Sequence, residues 1–92
     1  MRWRLDIRQS IQRNIFQLPW SVQEDIREIL QELKDDPRPP DSKELQRELK
    51  GTFTIRISET WRLIYSVNEA DRVVRIISIE ERGANTYLNL GS

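Results

Sequence analysis

The chain reads as an α+β fold, a small and mostly antiparallel β-sheet with two N-terminal helices packed on one face. Three observations carry that reading. An alternating apolar segment opens the chain, two stretches of helical spacing follow, and three alternating or β-branched stretches come after a proline-rich loop. A period of two buries one face of a strand, and a period near 3.6 buries one stripe of a helix, so the pattern supplies both layers of a sandwich.

In RWRLDIR, Trp3, Leu5 and Ile7 alternate with Arg2, Arg4, Asp6 and Arg8, which predicts a first strand with one buried face. From Ser10, the residues Ile11, Ile15, Phe16 and Leu18 recur at helical spacing until Pro19 stops the pattern. Ser21 and Glu24 match an S-x-x-E capping box, which satisfies two backbone N–H groups at a helix start. Val22, Ile26, Ile29, Leu30 and Leu33 then form one face of an amphipathic helix, which Asp35, Asp36 and Pro37 end. DDPRPPDS is a loop, and its P-x-x-P from Pro37 to Pro40 is read as a rigid connector; the other reading is an extended ligand for a proline-binding domain. Asp41 and Glu44 predict a short helix carrying Leu45 and Leu49, with Gly51 just past its end.

Three strands follow. Phe53, Ile55 and Ile57 alternate in the first, and Trp61, Leu63, Tyr65 and Val67 in the second. The third, RVVRIISI from Arg72, is β-branched on both faces and reads as a central or doubly covered strand, after a turn at Asn68 to Asp71. Burial sets the hairpin register. A two-residue Glu59-Thr60 turn would oppose Ile57 to Arg62 and mix the faces. A three-residue loop, Ser58 to Thr60, pairs Ile57 with Trp61, Ile55 with Leu63 and Phe53 with Tyr65. The same register sets Arg56 opposite Arg62, and like charges in that position cost on the order of a few tenths to 1 kcal/mol. Two readings of the pair stand at this point: a solvated sheet face, or an anion site in which guanidinium groups grip phosphate.

The 92 residues, 1–92, are expected to form a single domain that buries roughly two thirds of its unfolded surface. No apolar run approaches the ~20 residues that span a bilayer, and no signal-peptide core follows Met1, so a cytoplasmic protein without a membrane partner is expected. The chain has no cysteine and no histidine, which excludes disulfides, thiolate chemistry and Cys/His zinc sites. Acid–base chemistry therefore falls to carboxylates, Lys or Tyr. Fifteen basic residues balance fifteen acidic ones, so bulk charge does not mark a nucleic-acid binder. Residues 1–19 and 50–75 are locally basic and 20–49 locally acidic, a distribution that fits a basic sheet with an acidic helix as well as ordinary scatter.

The motifs taken together carry a resemblance. DIRQSIQRNIFQLP, a long helix ending in DDPRP, then LKG-TFTIRI-SETWRLIYSV-NEADRVVRIISI-EERGANTY is similar in order and spacing to the RelE/ParE superfamily of bacterial toxins. The most specific parts are L-K-G (Leu49 to Gly51), W-R-L-I-Y (Trp61 to Tyr65) and R-G-x-x-x-Y (Arg82 to Tyr87). The resemblance implies a toxin of a type II toxin–antitoxin module, neutralised by a cognate antitoxin, with no cofactor. In ribosome-dependent members the exposed sheet face cuts mRNA in the ribosomal A site. By position, Arg56, Arg62, Arg82 and Tyr87 are then the candidate catalytic residues, with the arginines stabilising phosphate charge and Tyr87 stacking on a base or moving a proton. Arg2, Arg4, Thr54 and Lys50 are the candidate substrate contacts. Thr54 stands where the best-known RNase member has a basic residue, and Lys50 is the candidate to replace it. Glu80 and Glu81 stand where many relatives carry Gly-His or Gly-Lys, and they oppose RNA binding unless Glu81 acts as the base.

The leading expectation is a ribosome-dependent mRNA endonuclease. The second is a non-enzymatic inhibitor of DNA gyrase, as in the ParE branch. A third is a regulatory member that binds its antitoxin and reaches promoter DNA only through that complex. Under all three, Ile64, Val74 and Ile76 near the arginines either receive an amphipathic, acidic antitoxin segment or pack into the core.

Overall fold

The computed structural model describes residues 3–45 and 51–81. The elements are β1 (Arg4–Ile7), α1 (Gln9–Phe16), α2 (Trp20–Asp35), β2 (Ser42–Glu44), β3 (Thr52–Arg56), β4 (Trp61–Asn68) and β5 (Val73–Glu81). The strands form one five-stranded sheet in the order β1-β5-β4-β3-β2. β1 runs parallel to β5, and the other neighbouring pairs are antiparallel. The α+β architecture expected from the periodicities is the one observed.

Alternation along each strand separates two faces. Leu5 and Ile7 of β1, Phe53 and Ile55 of β3, Leu63 and Tyr65 of β4, and Val74 and Ile76 of β5 turn toward the helices, where Ile11, Val22, Ile26 and Leu33 meet them. Leu33 and Leu63 are fully buried, and each such side chain stabilises the fold by roughly 1.5–3 kcal/mol relative to exposure. Val74 and Ile76 belong to this core, so of the three aliphatics considered for a partner surface only Ile64 faces the other way.

Three local expectations are corrected. α2 begins at Trp20 with Pro19 as its N-cap, so Ser21 lies inside the first turn and no side chain caps the helix. Gln23 closes the corner instead, its Nε2 donating to the carbonyls of Leu18 at 2.8 Å and Phe16 at 3.3 Å. Phe16 points away from the core and is 75% exposed, as is the neighbouring Trp20 at 67%. The short helix predicted after Asp41 is absent over Ser42–Glu44, which form β2 and pair with β3. Glu44 does not cap a helix; its Oε2 accepts the N–H of Gly51 at 2.9 Å, closing the strand-to-strand connection from outside. Leu49 lies outside the described residues.

The proline-rich loop is a connector held to the sheet. The Tyr65 hydroxyl, fully buried, donates to the Pro37 carbonyl at 2.8 Å. The Tyr65 ring stacks on Phe53 with centroids 5.7 Å apart, and the Arg38 guanidinium lies 5.7 Å from the Phe53 ring centre while also pairing with Glu69. The turn before β5 is closed by Asn68, whose Oδ1 accepts the N–H of Asp71 at 3.0 Å. Residue Arg72 then takes a left-handed backbone (φ 55°), uncommon for arginine, with its guanidinium over the Trp3 ring at 5.9 Å.

β5 is interior, as its composition suggested, but it is not regular. Tyr65 faces Ile76 while Ile64 faces Ser78, so Ile77 is an extra residue in a β-bulge. The bulge changes the phase of the strand: before it the odd-numbered residues Val73 and Arg75 lie away from the helices, and after it the even-numbered Ser78 and Glu80 do.

Candidate functional site

The face of the sheet turned away from the helices carries the site. Arg56 of β3 and Arg62 of β4 are direct cross-strand partners, in the register that burial of the apolar face requires. Arg62 is in turn paired across to Glu80 of β5. Its Nη2 lies 3.5 Å from Glu80 Oε1, and the two side chains are 11% and 31% exposed. The Ser78 hydroxyl donates to Glu80 Oε2 at 3.1 Å. One row of the sheet is therefore Arg56–Arg62–Glu80, in which a carboxylate offsets the charge repulsion between the arginines.

The adjacent row holds a residue that sequence reasoning missed. Lys43 of β2 is the direct partner of Thr54, which is the partner of Ile64, which faces Ser78. Lys43 is exposed and lies on the arginine face, diagonal to Arg56 at roughly 7–8 Å between Cα atoms. It was hidden because Ser42–Glu44 were assigned to a helix; the alternation Ser-Lys-Glu, with the lysine in phase with Thr54, was the available signal. Three cations (Lys43, Arg56, Arg62) against one carboxylate (Glu80) give this patch a local charge of +2 in a chain whose net charge is +0.

The remaining predicted residues divide. Thr54 lies within the patch, half-buried between Lys43 and Ile64. Arg4 is on the same face but partners Val73, opposite Asn68. Asn68 is six positions along β4 from Arg62, so Arg4 is removed from the arginine pair by about 20 Å at ~3.3 Å per residue. Arg4 instead borders a shallow cavity of about 430 Å³, lined also by Asp6, Ser66, Asn68, Asp71 and Arg75. There Arg75 Nε donates to Asp6 Oδ2 at 2.9 Å, and Arg4 and Arg75 are balanced in charge by Asp6 and Asp71. Arg2, Lys50, Arg82 and Tyr87 lie outside the described residues. The Glu80-Glu81 pair is split by strand alternation: Glu80 faces Arg62, and Glu81 faces Trp61 on the opposite side. Among the described residues no three acidic side chains gather into a metal-binding group, and no helix is long and apolar enough to cross a membrane.

A patch of guanidinium and ammonium groups around small hydroxyl side chains is suited to a phosphodiester backbone. Arginine forks grip phosphate oxygens, and such contacts supply affinity without reading base identity. Ile64, among the charges, offers an apolar surface beside them.

No protein-family model matches the chain, and no curated protein matches it. Solved structures do. A chain in the archaeal RelE–RelB complex from Pyrococcus horikoshii is 27% identical, with a TM-score of 0.80 over 91% of this chain and 99% of that one. The toxin–antitoxin complex RelBE2 from Mycobacterium tuberculosis contains a chain 26% identical, with a TM-score of 0.73 over 89% of this chain and 100% of that one. A YoeB/ParE toxin from Agrobacterium tumefaciens, at 16% identity and a TM-score of 0.75 over 87% and 99% of the two chains, shares the fold.

Proposed function

We propose, from the premise that this chain is a RelE-like toxin of the RelE/ParE superfamily, that it is the toxin of a type II toxin–antitoxin module and a ribosome-dependent mRNA endonuclease. The observation that carries the reading is the Arg56–Arg62 pair on the sheet face turned away from the helices, with Lys43 beside it. Glu80 offsets one of the three positive charges, and the excess that remains suits a phosphate.

The chemistry is attack of a ribose 2′-oxygen on the adjacent phosphorus. The O2′–P bond forms, the P–O5′ bond breaks, and the products are a 2′,3′-cyclic phosphate and a free 5′-hydroxyl. Charge builds on the non-bridging oxygens, where Arg56 and Arg62 act; a single preorganised donor of this type is worth roughly 3–4 kcal/mol of barrier. Arg82 and Tyr87 complete the proposed set. The ribosome would supply what this small face lacks, a fixed substrate conformation. The partner that silences the toxin is a cognate antitoxin, as in the RelE–RelB and RelBE2 complexes. An acidic amphipathic segment matches Ile64 and the flanking cations.

Purified protein added to a translating extract should cut mRNA, and Arg62→Ala should remove both cutting and growth arrest. Intact mRNA in an extract where a known relative cuts would refute the reading. Net charge of +0 favours a second reading, inhibition of DNA gyrase without RNA chemistry. Loss of supercoiling in a purified gyrase assay, with mRNA left intact, would establish it. A third member type, acting only through antitoxin binding and promoter DNA, would leave growth and both assays unchanged.

A further inference from the structure

We propose that Glu80 is the general base of the cleavage step, taking the proton of the attacking 2′-hydroxyl beside the phosphate that Arg62 holds. This rests on the nuclease reading above. The chain contains no histidine, which leaves carboxylates, lysine, tyrosine or solvent as bases; of these, a carboxylate is the group already ionised at neutral pH and able to accept a proton. Strand alternation leaves two carboxylates on the arginine face among the described residues, Asp6 and Glu80. Asp6 lies in the row of Arg75 and Ser66, four positions along β4 from Arg62, or about 13 Å away, and is engaged by Arg75. Glu80 lies in the row of the arginine pair itself.

The geometry prepares that carboxylate for proton transfer. Ser78 holds Oε2 at 3.1 Å, and Arg62 Nη2 lies 3.5 Å from Oε1. Two contacts fix the orientation of a group that can accept about four hydrogen bonds, so capacity remains for a ribose hydroxyl. In the step, the 2′-proton passes to Glu80, the O2′–P bond forms, and the P–O5′ electron pair leaves with the 5′-oxygen. That oxygen takes a proton from water on the far side of the phosphorus, and Glu80 then returns its own to solvent. The base and the charge stabiliser are thus one cross-strand pair.

The groups facing Glu80 from neighbouring strands are Arg62 on β4 and, beyond it, Arg56 on β3; Ser78 is on its own strand, and β1 pairs only with Val73–Ile76. The experiment compares wild type, Glu80→Gln and Glu80→Asp on programmed ribosomes at saturating toxin, with thermal melts to establish that each variant is folded. Glu80→Gln, which keeps the shape but cannot take the proton, should cut roughly 10²–10⁴-fold more slowly, and Glu80→Asp, which keeps the carboxylate, should recover part of that loss. A folded Glu80→Gln variant cutting as fast as wild type, or faster, would overturn the proposal and reduce Glu80 to a counter-ion of Arg62. Absence of cutting by wild type, where a known relative cuts, would instead remove the nuclease reading on which the proposal rests.

Discussion

Replacing Tyr65 by phenylalanine isolates one hydrogen bond in the fold. The ring, its burial and its stack on Phe53 are kept, and the hydroxyl that reaches the Pro37 carbonyl at 2.8 Å is lost. Proline has no N–H, so that carbonyl is the residue's only backbone hydrogen-bonding group, and Pro37 itself is buried. Losing the bond costs about 1 kcal/mol, and stranding the acceptor adds to it, so about 1–2 kcal/mol is expected in total. For a domain of this size the same change lowers the melting temperature by roughly 4–8 °C per kcal/mol. Urea unfolding should show a lower midpoint with an unchanged m-value, because the surface exposed on unfolding is the same. Tyr65→Ala, which also empties the ring's space, should cost about 3–5 kcal/mol. A Phe variant as stable as wild type, or as unstable as the Ala variant, would refute the account of this contact.

Burial raises the Tyr65 pKa above its ordinary 10.0, with the nearby Ser42 hydroxyl opposing and the Asp36 carboxylate adding to the rise. The unfolded chain therefore loses this proton first, and stability conferred below pH 10 declines as pH rises toward the folded value; a denaturation series in alkali should show a decline that Tyr65→Phe lessens. Leu33→Ala, at a fully buried position of α2, should destabilise by about 2–5 kcal/mol in the same urea assay. Gly51 has φ +88° with no atom within 4 Å of an added Cβ, so Gly51→Ala should cost about 1 kcal/mol through backbone conformation alone. Trp20→Ser, at an exposed position, should change stability by no more than about 0.5 kcal/mol.

The layers of the fold were legible because they follow from periodicity. The hairpin was legible to the residue, since only one register keeps Phe53, Ile55 and Ile57 on the face of Tyr65, Leu63 and Trp61. Two errors arose where side-chain chemistry has more than one use. Ser21 and Glu24 have the spacing of a cap, but Pro19 with its fixed φ starts the helix two residues too early for Ser21 to serve. Asp41 and Glu44 have capping chemistry too, yet the chain after Pro39 extends: Ser42 N–H and hydroxyl both donate to the Pro39 carbonyl, and the strand then pairs with β3. The bulge at Ile77 was not legible at all. A one-residue insertion in a run of β-branched residues leaves no mark in composition, and it decides which of two adjacent glutamates faces Arg62. Of the two glutamates, the sequence drew attention to Glu81, whereas the strand turns Glu80 to Arg62.

The parallel pairing of β1 with β5 has a consequence in time. Asp6 and Arg75, joined across that pair, are 69 residues apart in the chain. Among the described strands, β1 therefore has no strand partner until β5 has been made. At about 5–20 residues per second, that interval is roughly 3–14 seconds of elongation. Arg62 and Glu80, on β4 and β5, also come together only at the end of it. A nascent chain therefore lacks the proposed site until β5 has been made.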